Sequence, residues 1–371
     1  MFDEISWMGS KDPVFLGKLK VVWDMHFSKI PNLILILCGS VSIWIEKNIL
    51  SSTGFIGRIR TTITLKELNL DECNQLLTQL GFKISPMEKF MILGITGGVP
   101  WYIEQFDARY SVSENIRKLC FDAAGTFVDE FKRIFDDLFE PRRLTVSKEI
   151  VEYLSDGSAE YEDISTYIKY PTSGSLSDYI AELVSAGFVG RDNIWNLKTG
   201  KVVRSSSYRI KDNYVRFYLK YIQPHLSKIE DGQFTDVSIS SLPGWDAIMG
   251  LQFENIVLSN RSTINKILGI HPEEIICSNP YFQHKTLEQE GCQIDYLIQT
   301  RFNNLYVCEI KFSKKEIQTT VIKEVQNKIE NLKRPKGFAC IPILIHVNGA
   351  SAEVEDSGYF GKIIDFSSLL N

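Results

Sequence analysis

The apolar residues in the first 70 positions of this chain follow two different patterns. Over residues 15–27 they recur at helical intervals, whereas residues 33–38 form a continuous apolar run closed by Gly39. A run of this length before a glycine predicts a strand buried on both faces, as in a parallel sheet. Such a sheet needs neighbouring strands, and residues 1–70 supply one complete strand. We therefore expect these residues to be the second half of an α/β unit whose first half is absent.

Residues 71–144 are predicted to be helical, with one break. The Gly-Gly-Val-Pro segment at residues 97–100 interrupts the pattern because paired glycines and proline end helices. Beyond it, Phe127, Phe131 and Phe135 recur at helical spacing, which indicates core packing rather than a cofactor site. We interpret these residues as a helical lid or connector.

Residues 145–222 predict three helices followed by two β-like stretches, at 188–196 and 205–210. This order is typical of a winged helix. The third helix, at about 175–186, would be the one that reads DNA. Its polar residues are serines and acids, which are poor partners for phosphate. We expect it to pack against another part of the chain instead.

Residues 223–371 predict a third unit that mixes helices and strands. Its elements are expected at residues 245–259 (helix), 275–277, 293–299 and 305–312 (strands), 318–332 (helix) and 341–347 (strand). Between Lys311 and Lys336 there are eight lysines or arginines and three glutamates, so the second helix could follow a DNA backbone.

Acidic side chains lie within two of these predicted strands. Asp295 is in one, and Glu309 and Lys311, two residues apart in the next, share a face. A charged pair on an apolar strand is costly unless it has a partner. If the strands pair, Asp295 reaches the same face, and two carboxylates with a backbone carbonyl suit Mg²⁺. Lys311 would hold the attacking water or offset transition-state charge, and Glu254 on the preceding helix would add a water-mediated ligand.

Composition and charge restrict the classes of protein to which the chain can belong. Its 371 residues carry 41 basic and 46 acidic side chains, a net charge of −5, which excludes a bulk nucleic-acid binder and leaves only a local basic patch. No apolar run approaches the ~20 residues of a membrane helix, and no signal peptide is evident. Seven cysteines without CxxC spacing predict reduced thiols. We expect a cytoplasmic protein with no membrane partner.

The carboxylate pattern resembles that of the PD-(D/E)XK, or restriction-endonuclease-like, nuclease superfamily. The order in that superfamily is helix-Glu, strand-Asp, strand-Glu-x-Lys and a further helix, and Glu254, Asp295, Glu309 and Lys311 occur in this order. The proline that commonly precedes the aspartate is replaced here by Ile294. The resemblance implies catalytic roles for these four residues and a Mg²⁺ ion held by the Asp295 and Glu309 carboxylates.

Motifs nearer the amino terminus resemble those of an ATPase. Residues 1–4 resemble the end of a Walker B strand, in which Asp3 would orient Mg²⁺ and Glu4 would polarise the attacking water. Ser40 resembles the sensor residue of the following strand, and Arg58 resembles an arginine finger. The Gly-Gly-Val-Pro segment resembles the lid turn of archaeal-type ATPases. The resemblance implies nucleotide-binding roles for these four side chains.

Together these motifs resemble a family of prokaryotic and archaeal AAA-type (STAND-like) ATPases over nearly the whole chain. The implied fold is multidomain α/β plus α+β. It has a partial P-loop ATPase core (1–70), a helical lid (71–144), a winged helix (145–222) and a restriction-endonuclease-like domain (223–371). The Walker A sequence GxxxxGK[ST] is absent, so the chain resembles an amino-terminally truncated member and is not expected to hydrolyse ATP. ATP binding and homo-oligomerisation are expected only of a full-length form.

Three functions are compatible with these patterns. The first is a Mg²⁺-dependent DNA nuclease joined to the carboxyl-terminal part of an ATPase. The second is a non-catalytic regulatory or signalling ATPase whose winged helix and nuclease-like domain bind DNA or a protein partner. The third is a DNA-binding adaptor in which Lys198, Lys201 and Arg204 of the hairpin contact DNA.

Overall fold

The computed structural model describes residues 1–39, 43–139, 141–172, 174–287 and 289–370. The helices found there are α1 (Ile5–Lys11), α2 (Phe15–Met25), α3 (Ile43–Ile45), α4 (Leu70–Gln79), α5 (Pro86–Thr96), α6 (Pro100–Glu104), α7 (Val112–Cys120), α8 (Thr126–Leu138), α9 (Pro141–Leu154), α10 (Tyr161–Tyr167), α11 (Gly174–Ser185), α12 (Asn213–Phe217), α13 (Leu226–Glu230), α14 (Trp245–Ser259), α15 (Arg261–Ile267), α16 (Thr320–Asn331) and α17 (Ala352–Asp356).

The strands form two sheets. They are β1 (Ala159–Glu160), β2 (Val189–Trp195), β3 (Val202–Ile210), β4 (Ile275–Gln283), β5 (Cys292–Thr300), β6 (Asn304–Phe312), β7 (Ala339–Val347) and β8 (Lys362–Asp365). The first sheet is antiparallel, in the order β1-β3-β2. The second follows chain order from β4 to β8 and is antiparallel up to β6 and parallel from there to β8. The chain is therefore a multi-unit α/β protein with helices and a mixed sheet.

The prediction of a buried strand at residues 33–38 is wrong. These residues, all of which the structure describes, make one parallel bridge, between Phe2 and Leu37. Ile34 is 80% exposed and Ile36 is 51% exposed. A parallel strand stays buried only with strands on both sides and helices over both faces. Here the segment pairs through one residue, Leu37, with Phe2, so the apolar run lies at the surface.

A separate small core holds the amino-terminal segment together. It consists of Ile5, Leu19, Ile49 and Phe55 and shares no member with the main hydrophobic core of the chain. Residues 59–69, which follow, form no helix or strand within the described chain. The segment is therefore a unit of its own in packing terms.

In the helical region 71–144, local sequence signals mark where helices start and where α5 ends. Helices α4, α5 and α7 each start with a capping box, formed by Asn69, Ser85 and Ser111 with the glutamate three residues later. Helix α5 ends at the predicted break, where Gly97 has a φ of +57°, a conformation that favours glycine.

Residues 145–222 contain the predicted helices and hairpin, but the surface through which they pack on the rest of the chain differs from the prediction. Helix α11 packs on α9 and β2, within the same unit. The hairpin β2–β3 instead contacts the five-stranded sheet. The Trp195 indole Nε1 donates a hydrogen bond to Gln299 Oε1 on β5 at 2.6 Å, and Gly200 lies against Ile276 on β4. The hairpin carries large apolar side chains, whereas the exposed residues of α11 are small or polar, which accounts for the difference.

Helices cover both faces of the five-stranded sheet and so fix where its side chains point. Helix α14 covers one face over Tyr296, Ile298 and Ile310, and α16 covers the other over Leu297 and Val307. Strand β4 is longer than predicted, and β8 was not predicted at all. Side chains alternate between the two faces along β5 and β6, so even-numbered residues face α14 and odd-numbered residues face α16.

Candidate active site

The carboxylates of Asp295 and Glu309 come together where two strands diverge. The ladder between β5 and β6 pairs Tyr296 with Cys308 and ends there, although the next facing pair would be Asp295 and Glu309. Beyond this point the Asp295 side chain replaces the backbone of its own strand, because its Oδ2 atom accepts a hydrogen bond from the Ile310 N–H at 2.8 Å. The divergence leaves room between the strands for polar side chains.

A lysine that the sequence analysis did not single out lies between the two carboxylates. The Lys328 ammonium is 3.3 Å from Asp295 Oδ1 and 2.5 Å from Glu309 Oε2. Helix α16 presents it because Val321, Val325, Lys328 and Leu332 recur at intervals of three and four residues along its buried face. A lysine at an otherwise apolar helical position was the signal available in the sequence. The surrounding run of exposed lysines obscured it.

The predicted Glu309–Lys311 pair forms and extends the cluster. Lys311 Nζ is 3.0 Å from Glu309 Oε1 and 2.8 Å from Glu324 Oε2 on α16. The side chains thus form a row of alternating charge, which we call the charge row, consisting of Asp295, Lys328, Glu309, Lys311 and Glu324. Glu309, at its centre, is 1% exposed. A carboxylate buried this deeply is tolerated because an ammonium contacts each of its oxygens.

Burial and mutual charge shift the protonation equilibria of this cluster. Burial first, and then the neighbouring Glu309 carboxylate, raise the pKa of Asp295 above its usual range. Burial opposes a charged Lys328, yet the Asp295 and Glu309 carboxylates outweigh it and raise the pKa of that ammonium. The same balance, with Glu309 and Glu324 as the anions, raises the pKa of Lys311. Both lysines are therefore cations at neutral pH.

Glu254 lies on α14, close enough to Asp295 for their charges to interact. Burial, followed by the Asp295 charge, raises the pKa of Glu254 to about 7, while Arg216 and Arg209 act in the opposite direction. The expected role of Glu254 as a water-mediated ligand remains a prediction. Within the described residues, no hydrogen bond joins Glu254 to Asp295.

The donor set of this cluster is of the kind that a hard divalent cation takes. Two carboxylates from neighbouring strands offer oxygen ligands, as Mg²⁺ requires. The position between Asp295 Oδ1 and Glu309 Oε2 is taken by the Lys328 ammonium. In the described ranges, no group of three or more acidic, histidine or cysteine side chains is arranged to hold a metal ion. The pair therefore fits Mg²⁺ in chemistry, provided that Lys328 moves.

Three of the four side chains assigned to nucleotide binding, Asp3, Glu4 and Arg58, lie in the described part of the chain. Asp3 accepts a hydrogen bond from the Glu4 N–H at 3.0 Å. Arg58 makes a two-pronged ion pair with Asp24, with both contacts at 2.8 Å, and in the described ranges no hydrogen bond or ion pair joins it to Asp3 or Glu4. Ser40 lies outside the described residues. Arg58 thus has a structural partner of its own.

The basic residues of the hairpin lie at the protein surface. Lys198, Lys201 and Arg204 are all exposed. Between them, however, Gly200 lies against Ile276, and its carbonyl accepts a hydrogen bond from the Cys277 thiol at 3.6 Å. The turn is thus docked on β4, which limits the side from which DNA could approach it.

Two further features concern the helices and the cysteines. None of the helices in the described ranges combines the length and apolar character needed to cross a membrane. All seven cysteines lie in described ranges, and each is a free thiol.

Comparison with known proteins gives one uncharacterized relative. No family model matches the chain. An uncharacterized protein of Methanocaldococcus jannaschii, MJECL04, is 24% identical over 261 residues, which cover 69% of this chain and 55% of the relative. The match thus spans about half the length of that relative.

Proposed function

We propose that the carboxyl-terminal unit, residues 223–371, is a PD-(D/E)XK nuclease-like domain that hydrolyses DNA phosphodiesters with a divalent cation. The observation that carries the proposal is the convergence of Asp295 and Glu309 on one ammonium, beside Lys311, where β5 and β6 diverge. Carboxylates and lysines grouped in a gap between strands are the groups that phosphodiester hydrolysis requires.

Each side chain of the site has a chemical task in this proposal. Asp295 and Glu309 would hold Mg²⁺, and the ion would activate a water molecule and neutralise charge on the phosphate when bound. Lys311, about one third exposed, offers its ammonium to a phosphate oxygen. The Ile310 N–H holds the Asp295 carboxylate in a fixed orientation, because that hydrogen bond replaces a contact between the strands.

Lysines near the charge row would hold the DNA backbone. The exposed basic residues of β6, α16 and the loops that follow them are Lys314, Lys315, Lys323, Lys333, Arg334 and Lys336. Phosphate contacts from such side chains position a duplex without reading its sequence. The proposed substrate is therefore double-stranded DNA, bound in a salt-dependent manner.

The amino-terminal unit is proposed to be part of an AAA-type ATPase core, with residues 71–144 as its lid and residues 145–222 as a winged helix. The parallel bridge between Phe2 and Leu37 supports this, since the Walker B and sensor strands are neighbours in that fold. ATP binding is proposed only for a form that also has a phosphate-binding loop.

Plasmid nicking by the full chain tests the nuclease proposal. Asp295→Asn keeps the shape of the side chain and removes its charge, so nicking with Mg²⁺ or Mn²⁺ should fall by about 100-fold. Asp356→Asn, at an exposed position on α17, is the matched control and should nick like the native chain. If the native chain and Asp295→Asn nick at the same rate, the carboxylate pair is not catalytic.

The charge row also supports a non-catalytic alternative. Its lysines already neutralise the Asp295 and Glu309 carboxylates, so the cluster is a stable scaffold without a metal ion. A regulatory protein that binds DNA through the same basic surface would shift DNA in a gel and cleave none of it. In that case Asp295→Asn would leave both DNA binding and its salt dependence unchanged.

A further inference from the structure

We infer that the Lys328 ammonium occupies the proposed metal site and competes with the metal for it. A divalent ion binds Asp295 and Glu309 only when the Lys328 side chain withdraws. The inference rests on the proposed function and goes beyond it. It assigns to this chain an internal competitor for its own cofactor.

The contacts of Lys328 place its charge where a divalent ion would be held. One nitrogen contacts an oxygen of each carboxylate, at 3.3 Å from Asp295 and 2.5 Å from Glu309. A divalent ion held by the same two carboxylates would have to take the position that this ammonium fills. Two cations so close repel each other strongly in a partly buried site. The two modes of filling the site are therefore mutually exclusive.

The side chain can withdraw without unfolding its helix. Lys328 lies in the last turn of α16, where its carbonyl oxygen accepts hydrogen bonds from the Leu332 N–H and the Cys292 thiol. Its backbone is therefore fixed. Its side chain is 25% exposed, however, and its long aliphatic stem allows the ammonium to reach solvent.

Lys311 cannot serve as this competitor. Its ammonium contacts the other Glu309 oxygen, Oε1, and its second partner is Glu324. It contacts one member of the carboxylate pair, whereas Lys328 contacts both. Removing Lys328 alone should therefore free the bridging position.

Mn²⁺ binding to the full chain, measured by the electron paramagnetic resonance signal of free Mn²⁺ in the absence of DNA, tests the inference. Lys328→Met removes the charge and keeps the length of the side chain, and it should tighten Mn²⁺ binding by about tenfold or more. Lys328→Arg keeps the charge and should bind no more tightly than the native chain. Lys266→Met changes an exposed lysine of α15, outside the charge row and the proposed DNA-binding lysines, and should match the native chain.

Two more variants test whether a gain in Mn²⁺ affinity arises at this site and in a folded protein. Adding Asp295→Asn to Lys328→Met should abolish the gain, because one of the two ligands is lost. Lys328→Gln, which leaves a polar group in place, repeats the test if Lys328→Met does not fold. Thermal unfolding gives a second readout: Mn²⁺ should raise the midpoint of Lys328→Met more than that of the native chain.

The outcomes separate this inference from the nuclease proposal. Equal Mn²⁺ affinity in the native chain and in the folded Lys328→Met and Lys328→Gln variants, or an equal gain in Lys266→Met, would overturn the competitor role. Tighter Mn²⁺ binding by Lys328→Met supports it, even if no variant nicks a plasmid. Nicking is decided independently by the comparison of Asp295→Asn with Asp356→Asn.

Discussion

At the scale of single residues, the site depends on charges that cannot be removed one at a time. Glu309 is almost fully buried and contacts Lys311 and Lys328. Removing either lysine leaves part of a buried carboxylate without a partner, which is more costly than removing a surface ion pair. The charge row therefore behaves as a unit in stability as well as in chemistry.

The raised pKa of Glu254 predicts a pH dependence of the stability of this region. Its pKa rises from the ordinary value of 4.5 to about 7 in the folded chain. A carboxyl group with a raised pKa stabilises the fold fully below its unfolded pKa, and this stabilisation is lost as the pH rises through its folded pKa. The native chain should therefore lose stability relative to Glu254→Gln as the pH rises. We expect the difference in free energy of unfolding between the two proteins to grow by about 2 kcal/mol from pH 5 to pH 8.

Urea unfolding of both proteins at the two pH values measures this change. Glu330→Gln, at an exposed position of α16, is the control and should follow the native chain at both pH values. A difference between native chain and Glu254→Gln that stays constant from pH 5 to pH 8 would contradict the assigned role of Glu254.

The residues of the site that could be predicted were those with a local signature. Strand alternation placed Glu309 and Lys311 on one face, and the order of the motifs indicated Asp295. Lys328 is far along the chain, and its position depends on how α16 lies across the sheet. Arg58 resembled an arginine finger, but its partner Asp24 is set by tertiary packing that the motif does not encode.

At the scale of elements, the docking of the hairpin on β4 depends on a single glycine. A Cβ atom on Gly200 would lie 2.6 Å from Ile276 Cγ2, and the φ of Gly200 is +67°. Ile276 is β-branched and so has little freedom to move its Cγ2 away. The hairpin can therefore approach β4 this closely only with glycine at that position.

Gly200→Ala should lower the free energy of unfolding by roughly 2–3 kcal/mol, through backbone strain and the clash together. Gly187→Ala is a matched control, because Gly187 has a φ of +85° and open space around it. It should cost about 1 kcal/mol, from strain alone. Chemical denaturation measures both values, and equal losses would mean that the approach of the hairpin to β4 contributes nothing.

The elements that could be predicted were those that carry their own signals. Helix α14 has the expected bounds because its apolar run is long and ends at Ser259 before Asn260. The short strand β8 has only four residues, too few for a periodic pattern. The failure at residues 33–38 is of another kind: the pattern is that of a strand, but within the described residues this segment makes a single bridge, between Leu37 and Phe2.

At the scale of the whole molecule, stability is unevenly distributed. The amino-terminal unit depends on four buried side chains, whereas the main core extends continuously from α4 into the carboxyl-terminal sheet. A unit with so few buried apolar contacts opens locally at a lower free energy than the rest of the chain. We therefore expect amide hydrogen exchange to be fast in residues 1–58 and slow in α5 and β6.

Ile49→Ala should increase exchange within residues 1–58 and leave the rest of the chain unchanged, because Ile49 belongs to the small core alone. Ile92→Ala, at a fully buried position of the main core, should instead increase exchange in the helices around α5. Peptide-resolved mass spectrometry distinguishes the two patterns. An effect of Ile49→Ala that reaches β6 would show that the two cores unfold together.

The docked hairpin has a consequence for how this protein behaves at high concentration. A long outer strand with free backbone groups is a template onto which another chain can add a strand, and so it promotes aggregation. Strand β4 is such a strand, but it is irregularly paired with β5, and its residues Cys277 and Asn279 contact Gly200 and Asn193 of the hairpin. At the opposite border, β8 offers only four residues. The five-stranded sheet is thereby protected from edge-to-edge association by its own neighbours in the chain.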